Sequence, residues 1–383
     1  MNKAIQCLAI TLIVYFSLSP FLIPETKAAE DYWESMFSMP TARNRLGVAV
    51  VEGQIYAIGG CNSTSRYLGT NEMYDPATDT WTTKASMPTP RRDFAIAVHK
   101  NKIYCISGES SYDPEGLGGI YSEVNEVYDP ATDTWETKAS IPTPRFGMCA
   151  NVVDGKIYVI GGGHHSVYPP NVCSDKNEVY DPETDMWSEK TPLPTAVRFA
   201  ASATVDGKIY ILGGQAGLFL GGWHDFNQVY DVKNDVWSTA ASVPVGFDAA
   251  SAGATTGVFA PKRIYVFGGF TESSYTPRNL TQVYDPENNV WSTGASMPNP
   301  QARFDVAVVN DELYAIGSAN DKYTPAGHET PSSPTPSPSP SQEPTSTPEP
   351  QPEPLPLTWM VVFAVSGSVV GVALLVYFKK RKR

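Results

Sequence analysis

One eleven-residue segment occurs five times along the chain with small variations, and it limits the folds that the chain can adopt. Its copies are NEMYDPATDTW at 71–81, NEVYDPATDTW at 125–135, NEVYDPETDMW at 177–187, NQVYDVKNDVW at 227–237 and TQVYDPENNVW at 281–291. In each copy a tyrosine precedes a tryptophan by seven residues, and successive tryptophans are 54, 52, 50 and 54 residues apart. This regularity indicates one structural unit that is built several times.

Each copy predicts two β-strands joined by a tight turn. In four copies the β-rich run that ends in tyrosine meets Asp-Pro and then Thr-Asp or Asn-Asn, and in the copy at 227–237 it meets Asp-Val and then Asn-Asp. Asp, Asn and Pro at these positions favour a chain reversal. A second hairpin is predicted ahead of each copy; in ANVVDGKIYVIGG at 150–162, Asp154-Gly155 is a two-residue turn signal. Four short antiparallel strands at a period near fifty residues predict a β-propeller, in which each small sheet is buried against its neighbours.

The double glycine, the tyrosine and the tryptophan seven residues later resemble the kelch repeat, over about residues 32–325. The resemblance implies an all-β propeller in which the repeated rings pack between blades. The alternative, in which these rings bind a ligand, stays open at this point. The repeat positions are Tyr74, Trp81, Tyr128, Trp135, Tyr180, Trp187, Tyr230, Trp237, Tyr284 and Trp291.

The two ends of this region predict how the ring of blades closes. Trp33 lies in AEDYWESMFSMP at 29–40 with no tyrosine strand before it. At the other end, VAVVNDELYAIGS at 306–318 is followed by NDKYTP at 320–325, with no tryptophan in that unit. We expect the Trp33 strand to pair with the Tyr323 strand, completing a sixth blade and removing an exposed sheet edge. The predicted propeller is six-bladed and extends over residues 29–325.

The segments on either side of the propeller predict export and a membrane anchor. Residues 1–28 resemble a secretory signal peptide, with an uncleaved anchor as the alternative. Residues 326–356 are rich in Pro, Ser and Thr and predict an extended, disordered stalk. Residues 357–378 predict one transmembrane helix, and the basic residues 379–383 predict a cytoplasmic tail. The propeller is therefore expected outside the cell, on a single-pass membrane protein.

The formal net charge of −12 restricts the partners. An acidic surface argues against binding to nucleic acid or anionic lipid. The expected partner is an extracellular protein or a glycan, and membrane contact is expected through the C-terminal helix.

In kelch propellers the loops after the double glycine and the linkers between units gather at one end of the central channel, here called the mouth. Arginines in a predominantly acidic protein would form an anion or carboxylate site there. The resemblance adds that some kelch domains use arginines at this register for acidic peptides. The alternative pairs these arginines with Asp93, Asp248 and Asp305 as bridges between blades. The linker arginines are Arg43, Arg45, Arg91, Arg92, Arg145, Arg198 and Arg303.

The loops after the double glycine add further candidates for binding. Trp223 does not belong to the repeat pattern, and beside His224 and Asp225 it either stacks on a ligand or pins its own loop. His164 and His165 lie in the corresponding loop of the preceding unit. Three histidines at irregular spacing do not predict a metal site, and no cofactor is predicted.

The sequence therefore predicts a cell-surface recognition module that binds a protein or glycan at the mouth. The resemblance to six-bladed kelch sugar mutarotases leaves a carbohydrate-active enzyme as the alternative, acting at the same mouth. A structural or adhesion role without a small ligand is also open, because a fold does not decide a function.

Overall fold

The computed structural model of the protein describes residues 30–112, 119–164, 172–217, 223–271 and 275–329. All of them belong to the first of two units into which the chain divides, Met1–Thr330 and Pro331–Arg383. The predicted signal peptide, transmembrane helix and basic tail, and the stalk from residue 330 onward, lie outside the described residues. Within the described part of the chain, no helix has the length and apolar character needed to cross a membrane.

The described residues form six four-stranded antiparallel sheets, which are the blades of a propeller. Their first strands contact one another around the central channel, and their fourth strands lie at the rim. From first to fourth, the strands are Gly47–Val51, Gln54–Ile58, Asn71–Asp75 and Thr80–Lys84 in blade 1; Ala95–His99, Lys102–Ile106, Asn125–Asp129 and Thr134–Lys138 in blade 2; Cys149–Val153, Lys156–Ile160, Asn177–Asp181 and Met186–Glu189 in blade 3; Ala201–Val205, Lys208–Leu212, Asn227–Asp231 and Val236–Thr239 in blade 4; Ser251–Ala254, Ile264–Phe267, Thr281–Asp285 and Val290–Thr293 in blade 5; and Asp305–Val309, Glu312–Ile316, Asn320–Thr324 and Tyr32–Ser35 in blade 6.

The sixth blade closes the ring as the sequence predicts. Tyr32–Ser35 pairs antiparallel with Asn320–Thr324, and Trp33 lies opposite Tyr323. The Trp33 indole N–H also donates to the carbonyl oxygen of Ala295 in blade 5, at 2.9 Å. The prediction of a six-bladed propeller closed by the two terminal strands is therefore confirmed.

Neighbouring blades are joined by the repeated Tyr, Asp and Trp. Asp133 of blade 2 accepts hydrogen bonds from the Tyr128 hydroxyl, at 2.6 Å, and from the backbone N–H of Ala85 in the linker after blade 1, at 2.8 Å. The Trp135 indole donates to the carbonyl oxygen of the same Ala85 at 2.9 Å. The repeated rings thus lie between blades, where burial and directed hydrogen bonds act together. The equivalent acceptors at the other interfaces are Asp79, Asp185, Asp235, Asn289 and Asp31.

The double glycines allow the linkers to pass close to the blades. A Cβ on Gly161 would lie 2.7 Å from the carbonyl oxygen of Val197, and the φ of Gly161 is +67°. Only glycine meets both requirements without strain.

The loops that follow three of these turns are more regular than the sequence suggests. Two of them contain a two-stranded ribbon, and the third pairs with the linker that precedes its own blade. The paired strands are Glu109–Tyr112 with Gly119–Tyr121, Gly163–His164 with Val172–Cys173, and Val197–Arg198 with Gln215–Ala216.

Candidate binding site at the channel mouth

Three arginines of the linkers are buried inside their blades. Arg145 is fully buried, and it donates to the carbonyl oxygens of Val159 and Gly161 at 2.9 and 2.7 Å and forms an ion pair with Glu178. Burial lowers the pKa of Arg145 despite the nearby Glu178 carboxylate. Arg43 and Arg91 occupy the same place in blades 1 and 2, paired with Glu72 and Glu126.

These contacts correct the positions expected for Arg43, Arg91 and Arg145. All three are expected at the mouth from the sequence, yet their guanidinium groups are enclosed by their own blades and cannot meet a ligand there. The signal that the sequence analysis missed lies in the repeat itself, which reads Asn-Glu in blades 1 to 3, where an arginine is present. In blades 4 and 5 the Glu becomes Gln228 or Gln282, and the arginine position holds Val197 or Phe247.

The linkers form a closed collar around the channel. Each blade contributes the residue that lies two positions after the buried arginine or after the residue that replaces it. One residue from each blade has a positive φ between 52° and 64°. Each backbone N–H donates to the carbonyl oxygen of its counterpart in the preceding blade, at 2.6 to 3.0 Å, so that six hydrogen bonds close a circle. This collar fixes the backbone from which side chains reach the mouth. Its members are Arg45, Asp93, Gly147, Phe199, Ala249 and Arg303.

A cavity of about 310 Å³ opens above the collar, and four arginines line it. In one half, the arginines are already paired. Arg45 forms an ion pair with Asp93 of the next blade, and Arg92 lies 2.8 Å from a carboxylate oxygen of Glu109. The Tyr67 hydroxyl donates to the same carboxylate at 2.8 Å. These carboxylates neutralise Arg45 and Arg92.

In the other half, no carboxylate of the described residues lies within 4.0 Å of the guanidinium of Arg198 or Arg303. Arg198 donates to the neutral side-chain oxygen of Gln215, at 2.9 and 3.0 Å, and its guanidinium carbon lies 5.6 Å from the ring centre of Phe146. Arg303 lies 5.4 Å from the ring centre of Phe270, and its buried Nε has no hydrogen-bond partner among the described residues. The positive charge of the mouth is therefore concentrated in this half.

Asp248 lies in the same half and is 1% exposed. Burial raises the pKa of its carboxyl to about 6, although Arg303 and Arg198 act in the opposite direction. Its Oδ2 accepts a hydrogen bond from the Gln215 amide at 3.1 Å. From the sequence, Asp248 is expected only as a partner for arginine, and neither its burial nor its neighbours are visible in the repeat pattern.

The predicted bridges between arginines and acidic residues form at Asp93 alone. Asp248 has no arginine within 4.0 Å among the described residues. Asp305 accepts instead from the backbone N–H of Val48 at 2.8 Å and from the Ser251 hydroxyl at 2.9 Å.

The histidine and tryptophan candidates do not form one cluster. Trp223 is half-buried and packs edge-on against Tyr275 of the blade 5 loop, with ring centres 5.8 Å apart, so it joins two loops. His224 stacks on Phe226 at 4.6 Å, and Asp225 is exposed. His164 lies in a ribbon opposite Val172, while His165 is outside the described residues.

No group of three or more His, Cys, Asp or Glu side chains in the described segments is arranged to hold a metal ion.

Comparison with known families agrees with this architecture. Residues 26–162 match the KLHDC2/KLHL20/DRC7 Kelch-repeats domain, and residues 144–194, 196–244 and 255–298 match the Kelch motif. The chain belongs to the kelch-repeat β-propeller family. Propellers of this family typically mediate protein–protein binding.

Individual relatives share parts of the chain. Kelch-like protein 36 of Rattus norvegicus is 29% identical over 276 residues, which cover 70% of this chain and 43% of the relative. Beta-scruin of Limulus polyphemus is 38% identical over 101 residues, 26% of this chain and 11% of the relative. The chain thus spans less than half the length of these relatives. The solved structure described as "Structure of YjhT" has the same fold, with a TM-score of 0.64 at 18% identity, covering 75% of this chain and 95% of that chain.

Proposed function

We propose that this protein is a recognition module that binds an acidic segment of a partner protein at the mouth cavity. The observation that carries the proposal is the absence of a carboxylate partner, among the described residues, for Arg198 and Arg303. A guanidinium group binds a carboxylate through two parallel hydrogen bonds. At a largely buried guanidinium group such as that of Arg198, that attraction is stronger than at an open surface.

Aromatic side chains at the same cavity favour a protein partner. Tyr112 and Tyr275 line the cavity and are 48% and 38% exposed. Tyrosine and arginine are enriched among the residues that contribute most to protein–protein interfaces. The protein-binding role that is typical of the family points the same way.

Binding of a fluorescently labelled, acetylated tetraglutamate amide to the full chain tests this proposal. We expect Arg198→Ala and Arg303→Ala each to weaken binding by about tenfold or more, since a charge-assisted hydrogen bond contributes about 1.5 to 3 kcal/mol. Arg92→Ala is the matched control, because Glu109 already neutralises that arginine, and it should change binding by less than about threefold. Wild-type binding by both Arg198→Ala and Arg303→Ala would exclude the mouth as the site.

We also propose that the propeller is displayed on the outer surface of a membrane. The apolar run at 4–23, the proline-rich segment at 326–356, the uncharged run at 359–378 and the basic residues at 379–383 support this location. Protease added to intact cells that express the full chain should then degrade the propeller. Protection of the propeller until the cells are lysed would contradict this part of the proposal.

The carbohydrate-active alternative requires other chemistry at the mouth. A catalytic site would require carboxylates and histidine close to arginine inside the opening. The described lining of the cavity brings Asp248 to Arg198 and Arg303, and it contains no histidine. This geometry supports binding better than catalysis.

A further inference from the structure

Asp248 shares the unpaired half of the mouth with the two guanidinium groups proposed to hold the ligand. Its Oδ1 is buried and has no hydrogen-bond partner among the described residues, while Oδ2 accepts from Gln215. A buried carboxylate with so few donors pays a large desolvation penalty when it is ionised. The thiol of Cys173, whose pKa is raised by burial, is a further neighbour that interacts with it.

The charges that act on Asp248 come from four other blades. Arg303, Arg198 and Arg45 favour its ionised form, and Asp93 disfavours it. Burial outweighs the three arginines, so the pKa of Asp248 is raised to about 6. The carboxyl is therefore close to the point where a small change in its surroundings alters its protonation.

We propose that Asp248 takes up a proton when the mouth binds an acidic ligand, so that affinity for the ligand increases as the pH falls. This inference rests on the proposed function. A ligand carboxylate held by Arg198 and Arg303 places a second negative charge beside Asp248. When two carboxylates share one site, one of them retains a proton. Protonation of Asp248 removes the repulsion and leaves both guanidinium groups available to the ligand.

Calorimetric titration of the full chain with acetylated tetraglutamate amide measures this coupling directly. At pH 7, in two buffers of different ionisation enthalpy, we expect nearly one proton to be taken up for each peptide bound. Affinity should increase about twentyfold between pH 7.5 and pH 5.5. The peptide carboxylates remain mostly ionised over this range, since a glutamate ordinarily has a pKa of about 4.3.

The Asp248→Asn variant assigns the proton to its site. It should bind the peptide at pH 7.5 with the affinity that the wild type reaches at pH 5.5, without proton uptake. His164 and His224 are retained in this variant, so any uptake by histidine would persist. Asp175→Asn, which neutralises an exposed carboxylate on the same face, should keep the wild-type uptake.

Three results would overturn the inference. Peptide binding without proton uptake in the wild type, or equal uptake in Asp248→Asn, would exclude coupling at Asp248 and leave the proposed function intact. Absence of peptide binding at every pH would overturn both.

Discussion

Arg91 and Arg92 are adjacent in sequence, but they lie in two different regions of the molecule. The Arg91 side chain is fully buried and pairs with Glu126 inside blade 2, whereas the Arg92 side chain is 16% exposed and pairs with Glu109 at the mouth. The same division separates Arg43 and Arg145 from the mouth arginines. Residue type alone therefore does not indicate a binding role. The arginines that remain available to a ligand are Arg198 and Arg303, which lie at the mouth and have no carboxylate of the described residues within 4.0 Å.

The largest effect on stability is expected for a substitution in the interior of a blade. Arg145→Met should lower the free energy of unfolding by about 3 to 5 kcal/mol, because it leaves the buried carboxylate of Glu178 without its partner. Urea denaturation of the full chain, followed by tryptophan fluorescence, measures this change.

A double variant provides the control. Arg145→Val with Glu178→Gln copies the Val197 and Gln228 combination of blade 4 into blade 3, and it should recover most of the lost stability. A double variant as unstable as Arg145→Met would show that the ion pair is not the source of the difference between the blades.

Asp248→Asn is expected to raise the free energy of unfolding, in contrast to Arg145→Met. Its pKa in the folded protein is about 6, above the ordinary 3.8. The folded protein therefore binds more protons than the unfolded chain between these values, and wild-type stability falls as the pH rises from about 4 to about 6. Asp248→Asn removes this penalty and should raise the free energy of unfolding at pH 7 by up to about 3 kcal/mol.

The gain should disappear as the pH is lowered to 4, where the wild-type carboxyl is protonated in the folded protein. Urea denaturation of both proteins at pH 4, 5.5 and 7 measures it. An equal gain at all three values would mean that the variant acts through packing and not through charge.

The smallest effect on stability is expected at Arg92, the residue that follows Arg91 in the sequence. Arg92→Met should lower the free energy of unfolding by clearly less than Arg145→Met does, because the buried Glu109 carboxylate keeps the hydrogen bond from the Tyr67 hydroxyl. Arg91→Met, at the adjacent residue, should instead behave like Arg145→Met. Equal losses of stability in the two variants, measured by urea denaturation, would remove the distinction between the two regions.

The fold was predictable from the sequence because each blade carries its own copy of the repeat. Tyr, Asp-Pro and Trp at fixed spacing predict the strands, and the incomplete units around Trp33 and Tyr323 predict the closure that the structure confirms. The collar was not predictable. Its six members share a backbone conformation and a position in the ring, but their residue types range from glycine to arginine, so no pattern marks them.

The mouth was predictable in outline only. The position of the arginines in the linkers predicts that they lie near the channel. However, the side chains of adjacent linker residues lie in different environments, which the sequence does not reveal. The pairing with Glu178 was present in the sequence as an Asn-Glu repeat, whereas the burial of Asp248 depends on loops from several blades. Contacts between residues some fifty positions apart cannot be derived from local patterns.

Two variants, each measured for stability and for peptide binding, test the central claim that buried and mouth arginines have separate roles. Arg303→Met should weaken binding of acetylated tetraglutamate amide by about tenfold or more and change the free energy of unfolding by less than about 1 kcal/mol. Arg145→Met should lower the free energy of unfolding by about 3 to 5 kcal/mol, while the fraction that remains folded binds the peptide with wild-type affinity. Wild-type peptide binding by Arg303→Met, or a loss of stability in Arg303→Met equal to that in Arg145→Met, would contradict the account.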